Sequence, residues 1–273
     1  MSETVPLNPR DALRWYLAIG VDESIATDPV NWTALAAAAP SVQPARTEGE
    51  VMAKRKTAPV AAPPAELPPM AASARDRARQ AGTLEDLRQA LADFDGCALK
   101  KTATNLVFAD GIPGAPVMLV GEAPGEDEDR QGKPFVGVSG QLLDRMLACV
   151  GLSRQSNVYI TNVLPWRPPG NRQPTETEIA ACLPFLQRHI ELVKPAVVMV
   201  LGGTAAKSLL GRAEGITRIR GRWMDYDLGD GQSVPLLPTY HPAYLLRTPA
   251  QKRMAWRDLL ALKKRLSDQG LLS

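Results

Sequence analysis

Val117-Met118-Leu119-Val120 runs straight into Gly121-Glu122-Ala123-Pro124-Gly125, and this junction constrains the chain more than any other stretch. Four consecutive apolar residues with no polar alternation suit a strand buried on both faces. The run stops at Gly121. A polar loop of glycine, proline and acids follows, and then an amphipathic helix. Ser139 is its N-cap, Leu142, Leu143, Met146 and Leu147 recur at helical spacing, and Gly151 is its C′ stop. In open α/β sheets, ligands bind beyond the carboxyl ends of the strands. Glu122, Asp127, Glu128 and Phe135 fall there. An acidic loop is ordinarily just solvated surface. Glu122 differs because it lies one residue past a buried strand, on a stiff Ala-Pro-Gly turn of the kind that holds chemistry.

Three more apolar runs extend the pattern: Val158 to Val163, Val197 to Leu201 and Val234 to Pro238. Leu106-Val107-Phe108 reads as a further short strand, and Tyr226 to Gln232 as a polar hairpin-like stretch. Between the runs lie helix signals. Thr83 caps a helix carrying Leu84, Leu87, Leu91 and Phe94. Thr175 and Glu178 form a capping box ahead of Ile179, Leu183, Leu186 and Ile190. Pro184 inside that stripe predicts a kink or a break, and His189 near its end reads as a surface residue. Gly202-Gly203 leads into a helix capped by Thr204, the glycines serving close strand–helix packing. The last helix runs from about Pro249 to Leu266, with Trp256, Leu259, Leu260 and Leu266 on one face. Strands alternating with helices indicate a parallel sheet with crossover helices.

The composition changes along the chain and so divides it. Residues 1–35 read as a helical extension: Asn8-Pro9 starts a short helix with Leu13, Trp15, Tyr16, Leu17 and Ile19, which docks on the main domain or on a protein partner. Residues 36–82 are rich in alanine and proline, with a basic cluster at Lys54-Arg55-Lys56, and read as a disordered or polyproline-like linker. Residues 83–273 carry the compact domain. Apolar content is 45% and net charge +3, enough for a core and too mild to imply nucleic acid by itself. Three scattered cysteines, no signal peptide and no membrane-length apolar run predict a soluble cytoplasmic protein.

At the carboxyl edge of the sheet, three separated strands deliver Glu122, Asn162 and His241. A lone histidine or asparagine is ordinarily structural; three polar groups on one predicted crevice are less readily so. One histidine and an amide do not make a zinc set. No G-x-S-x-G elbow follows a strand, which argues against a serine hydrolase.

Three motifs carry a resemblance: GEAPGEDEDRQGKPFVG from Gly121, ITNVLPWRPPGNRQPT from Ile160 and HPAYLLR from His241. Together, in this order, they resemble the type-4 uracil-DNA glycosylases of the uracil-DNA glycosylase superfamily, over about two-thirds of the chain. The resemblance implies a three-layer α/β/α sandwich around a central, mostly parallel four-stranded sheet. It implies hydrolysis of the N-glycosidic bond of deoxyuridine in DNA, on a base flipped out of the stack. By the same analogy Phe135 stacks on uracil and Asn162 reads its O4 and N3–H. Glu128 lines the side where a thymine methyl would clash. His241 donates to O2, and Glu122 holds or polarises the water, with backbone atoms around Gly121 and Ala123. Leu245 or Leu246 enters the gap in the duplex, and Asn171, Arg172 and Arg247 contact phosphates.

The resemblance also implies four cysteines around a [4Fe–4S] cluster. Here Cys97 and Cys182 match the first and fourth places, while Lys100 and Trp166 take the second and third. Two thiolates cannot replace four, so no iron–sulfur cofactor and no other metal is expected. Arg218 to Trp223 contains no histidine, unlike the basic loop of a branch that crosslinks to uracil-containing DNA, so turnover is expected. The chain is expected to act as a monomer on uracil-containing DNA, with no membrane partner. The rival reading is a catalytically weak member that binds damaged or single-stranded DNA; the presence of Glu122, Asn162 and His241 favours the enzyme.

Overall fold

The four apolar runs become the four parallel strands at the middle of one sheet. The computed structural model describes residues 69–229 and 231–272. In chain order its elements are α1 (Pro69–Gln80), α2 (Leu84–Ala92), β1 (Asp110–Gly111), β2 (Val117–Gly121), α3 (Glu126–Gln131), α4 (Val138–Ala148), β3 (Val158–Asn162), α5 (Glu176–Val193), β4 (Val197–Leu201), α6 (Gly203–Leu210), α7 (Ile216–Ile219), β5 (Met224–Gly229), β6 (Gln232–Thr239), α8 (Pro242–Arg247) and α9 (Lys252–Asp268). The strand order is β1-β3-β2-β4-β6-β5. β3, β2, β4 and β6 are parallel neighbours; β1 and β5 pair antiparallel at the two edges. The four-stranded expectation describes the centre and is corrected at the edges to a sheet of six strands.

Side-chain alternation builds the layers. Met118, Val120, Val198 and Val200 face one side, against Leu186, Ile190 and Val193 of α5 and Ala205, Ala206 and Leu209 of α6. Val117, Leu119, Val197 and Met199 face the other, against Leu143 and Leu147 of α4 and Leu259, Leu262 and Leu266 of α9. Each fully buried Val, Leu, Ile or Met side chain among these contributes about 1.5–3 kcal/mol. A further apolar cluster joins α1 and α2 to α5 through Ala74, Ala78, Leu87, Leu91 and Phe185. Thr83 caps α2 and the Thr175–Glu178 capping box starts α5 as expected; at Thr83 the Asp86 side chain completes a box that was not foreseen.

Several expectations are corrected. Residues 69–80 of the supposed linker are helical: alanines at 74 and 78, with Ala81 beyond the helix, give a narrow face that packs closely on α5. Leu106-Val107-Phe108 is not a strand, and only Asp110–Gly111 pairs with β3. The acidic loop contains α3, because Glu128 at its third position reaches back and accepts from the N–H of Gly125, the N-cap. The N-caps of α4 and α6 are Gly137 and Gly202 in place of Ser139 and Thr204. α5 runs unbroken past Pro184. On α9, Trp256 and Leu260 are exposed while Ala255, Asp258 and Leu262 join Leu259 and Leu266 inside. His189 is buried: its Nε2 lies 2.8 Å from the Tyr159 hydroxyl and its ring stacks on Phe108.

No helix among the described residues is long and apolar enough to cross a membrane. The helix read near Asn8 to Gly20, the linker up to residue 68 and the Lys54-Arg55-Lys56 cluster lie outside the described residues.

Candidate active site

The strands deliver their polar ends to one place. Gly121 closes β2 and is the register partner of Asn162, which closes β3. The Gly121 and Glu122 carbonyls accept from the Val163 and Leu164 N–H groups at 2.9 and 3.0 Å, so the turn carrying Glu122 is pinned to the end of β3. β6 ends at Thr239, and His241 follows as the N-cap of α8. Glu122, Asn162 and His241 line a cavity of about 480 Å³ with Ala123, Glu128, Phe135, Ser139, Asn171, Arg172 and Arg247. Asn162 is 5% exposed, and its Oδ1 is fully buried with no hydrogen-bond partner among the described residues. A buried amide oxygen left without a donor costs about 1–3 kcal/mol.

The loop after β2 is built around two residues. Glu128, buried, accepts from the backbone N–H groups of Gly125, Val136 and Gly137 at 3.1, 2.9 and 2.8 Å. One carboxylate thus ties the start of α3 to the turn before α4. Phe135 adopts φ +53°, a strained backbone for a bulky side chain. Its ring lies 5.5 Å from the His241 ring, centroid to centroid. Gly121 is required here: a β-carbon would collide with Phe135 and with Asn162 Oδ1.

His241 is held in one tautomer. The Ala243 N–H donates to Nδ1 at 3.1 Å, which leaves the proton of the neutral ring on Nε2. Burial, with the charge of Arg247 adding to it and that of Glu128 opposing it, lowers its pKa to about 4. The site therefore holds a neutral imidazole with a free N–H donor. Gly202, at φ +97°, lies against the His241 β-carbon and leaves room for it. Sequence reasoning assigned Gly202 to strand–helix packing and missed this contact.

The model of the Uracil DNA glycosylase superfamily matches residues 108–260. The chain belongs to this superfamily. It is 40% identical over 180 residues to the type-4 uracil-DNA glycosylase of Saccharolobus solfataricus, covering 64% of this chain and 82% of that protein. It is 41% identical to those of Pyrobaculum aerophilum and Thermotoga maritima, covering 64% of this chain in each case and 91% and 90% of the relatives.

Within this superfamily member, the residues expected at the DNA surface divide. Arg247 is exposed on the cavity rim. Leu246 is 37% exposed, whereas Leu245 is fully buried among Leu142, Tyr240 and Ala255. Of the two leucines expected as a wedge, Leu245 faces the core from α8, which corrects its place at the DNA surface, and Leu246 is the exposed one. Arg172 forms two bonds to the Glu178 carboxylate, at 2.9 and 2.6 Å. Asn171 accepts from Arg167 Nε at 2.8 Å. Both line the cavity but are already engaged within the protein.

The residues at the four cluster places do not fit a [4Fe–4S] group. Cys97, Cys182 and Trp166 are buried in one apolar cluster with Leu99, Leu164 and Phe185, and Lys100 bonds Asp95 at 2.6 Å. Cys97 and Cys182 are neighbours in this cluster: the contact with Cys182 lowers the Cys97 thiol pKa, while the same contact and burial push Cys182 up. Two thiols and an indole cannot supply four thiolates.

Proposed function

We propose that this chain excises uracil from DNA by hydrolysing the N-glycosidic bond, leaving an abasic site for base excision repair. The unpartnered Oδ1 of Asn162, on the wall of a cavity shared with Phe135 and His241, carries the reading. Uracil answers it: N3–H donates to Oδ1 and O4 accepts from Nδ2. Cytosine reverses both and would leave buried groups unpaired, at about 1–3 kcal/mol each.

The reaction follows from the same residues. The base must leave the stack, because C1′ is inaccessible within a duplex. Phe135 stacks on it. Water attacks C1′ as the bond to N1 breaks; the electron pair leaves with uracil as its anion, and the proton lost by the attacking water passes to the Glu122 carboxylate and on to solvent. His241 donates from Nε2 to O2 as that charge grows; a preorganised donor of this kind is worth about 3–4 kcal/mol. Its neutrality matters, since the tautomer fixed by Ala243 puts the donor toward the cavity. Glu122 holds or polarises the water and stabilises the oxocarbenium-like sugar, by analogy with glycosidase carboxylates. Glu128, immobilised by three backbone bonds, stands where a 5-methyl group would press. Leu246 fills the gap in the duplex and Arg247 grips a phosphate.

We further propose that the protein works without an iron–sulfur cluster, as a monomer in a reducing cytoplasm, with residues 1–35 available to a protein partner. The thiol-poor donor set and the free cysteines Cys97, Cys149 and Cys182 support the first and the compartment. The test is a labelled uracil-containing oligonucleotide treated with the protein and then alkali. Cleavage at the uracil is expected; binding without cleavage would favour the DNA-binding reading.

A further inference from the structure

The strained backbone of Phe135 needs something to hold it, and the structure supplies one residue for the purpose. Arg154 lies in the turn before β3, nineteen residues away, and is 8% exposed. Its guanidinium donates to the Phe135 carbonyl at 2.7 Å and to the Pro134 carbonyl at 3.0 Å. Its remaining N–H groups meet two carboxylates: Asp144 on α4, at 3.0 and 2.9 Å, and Asp110 on β1, at 2.9 Å. The planar fork thus binds a strand, a helix and both peptides of the turn at once, which a lysine's single point charge cannot do. At the same carbonyl, Gly140 makes room: a β-carbon there would collide with the Phe135 backbone.

We propose that Arg154 is a positioning residue for base recognition, clamping Phe135 in its left-handed conformation so that the ring is presented flat to the flipped base. Backbone at φ +53° relaxes unless its surroundings over-determine it, and the two bonds from Arg154 with the Gly140 seat are what over-determine it. The two acids keep the buried charge paired, so the guanidinium stays fixed whether or not a base is bound. The part concerning base recognition rests on the proposed uracil-excising function; the clamp does not.

Two readouts separate these. The first is strain. Glycine tolerates φ near +53° and alanine does not. With Arg154 present, Phe135→Gly should melt at a higher temperature than Phe135→Ala; with Arg154→Lys, the order should reverse, as glycine's greater unfolded-state freedom then dominates. An unchanged difference in the two backgrounds overturns the clamp, with no reference to activity. The second is turnover on uracil-containing DNA. Arg154→Ala and Arg154→Lys should each lower kcat, by about tenfold to a hundredfold if the base–aromatic stack is lost. The affinity for undamaged DNA should stay unchanged. Combined with Phe135→Ala, neither should lower kcat further. If Arg154→Ala fails to fold, Arg154→Lys, which retains the charge, carries the test. A wild-type kcat in Arg154→Lys, or additive losses in the double variants, overturns the proposal. Absence of excision by the wild-type protein overturns the functional reading and leaves the melting comparison to decide the clamp.

Discussion

Gly121 and Asn162 face each other as register partners at the ends of β2 and β3, and a β-carbon at the glycine would run into the asparagine's unpartnered Oδ1. The cavity wall is therefore shaped by the absence of a side chain. Phe135 also approaches Gly121. Gly121→Ala should push the ring and the amide apart while leaving the sheet intact, since alanine is compatible with a buried strand end. We expect uracil excision to fall by about a hundredfold or more, the loss of an oriented contact, with little change in DNA affinity. Single-turnover kinetics beside a DNA-binding titration would check this; unchanged excision would mean that the base does not lie between Phe135 and Asn162.

Asn162→Asp replaces the donor toward O4 by an acceptor. Uracil excision should drop, while cytosine, whose N4–H₂ can donate to the new carboxylate, should be admitted at a low rate. Parallel assays on uracil- and cytosine-containing oligonucleotides measure both. Unaltered uracil kinetics would remove Asn162 from base recognition.

Much of this was legible in the residues because strands buried on both faces leave so plain a mark. The four central runs, the Thr83 cap, the Thr175–Glu178 capping box and the trio Glu122, Asn162 and His241 follow from periodicity, cap residues and where apolar runs stop. What was not legible depends on partners distant in sequence. His189 looks like a surface residue on a helix until Tyr159 and Phe108, from other segments, enclose it. Leu245 and Leu246 are adjacent and chemically alike, and only the docking of α8 on α4 decides which is buried. Arg154 has no local signature, because its five bonds run to residues 10 to 44 positions away.

Arg247 and Arg172 should separate in their effects on DNA. Arg247 is exposed at the rim, and Arg247→Ala should weaken binding about equally for all sequences and reduce the salt slope by roughly one phosphate contact. Arg172 already pairs with Glu178, which holds that carboxyl at about 2. The folded carboxylate's pKa is depressed, so this pair's stabilisation is fully present above the unfolded value near 4.5 and is lost as pH falls toward about 2. Arg172→Ala should therefore cost stability at neutral pH and move the salt slope less than Arg247→Ala. Fluorescence anisotropy across a salt series, beside thermal melts, tests the division. An equal change in slope for both variants would put Arg172 on the phosphates.

The two histidines of the chain give the fold an acid dependence. Burial lowers His189 to about 3, and burial with the Arg247 charge lowers His241 to about 4. Unfolded, each takes up a proton near 6.5. As pH falls below 6.5 the unfolded chain gains protons that the folded one refuses, so stability declines, by up to about 1.4 kcal/mol per pH unit for each histidine. Denaturant midpoints should fall between pH 7 and pH 5.5, and the fall should shrink in His241→Asn. Over the same range His241 stays neutral in the folded protein, so its contribution to kcat should be flat. A kinetic limb near 6.5 that disappears in His241→Asn would contradict the neutral donor.

The thiol pair is the last point at which chain and family part. Cys97 and Cys182 are buried against each other, Trp166 packs into the same apolar cluster, and Lys100 is drawn off to Asp95. Where four thiolates would hold iron, hydrophobic packing joins the turn before residues 98–101 to α5. If that packing is what the region contributes, the protein isolated without oxygen should be colourless and free of iron. Cys97→Ala with Cys182→Ala should keep full excision, losing only the stability of small filled volumes. Trp166→Ala should cost far more, about 3–5 kcal/mol, because it empties a large buried site. Iron and sulfide analysis with an ultraviolet–visible spectrum, followed by melts of these variants, distinguishes the cases. Stoichiometric iron, about four per chain, would require ligands other than cysteine and would overturn the assignment of this region to packing.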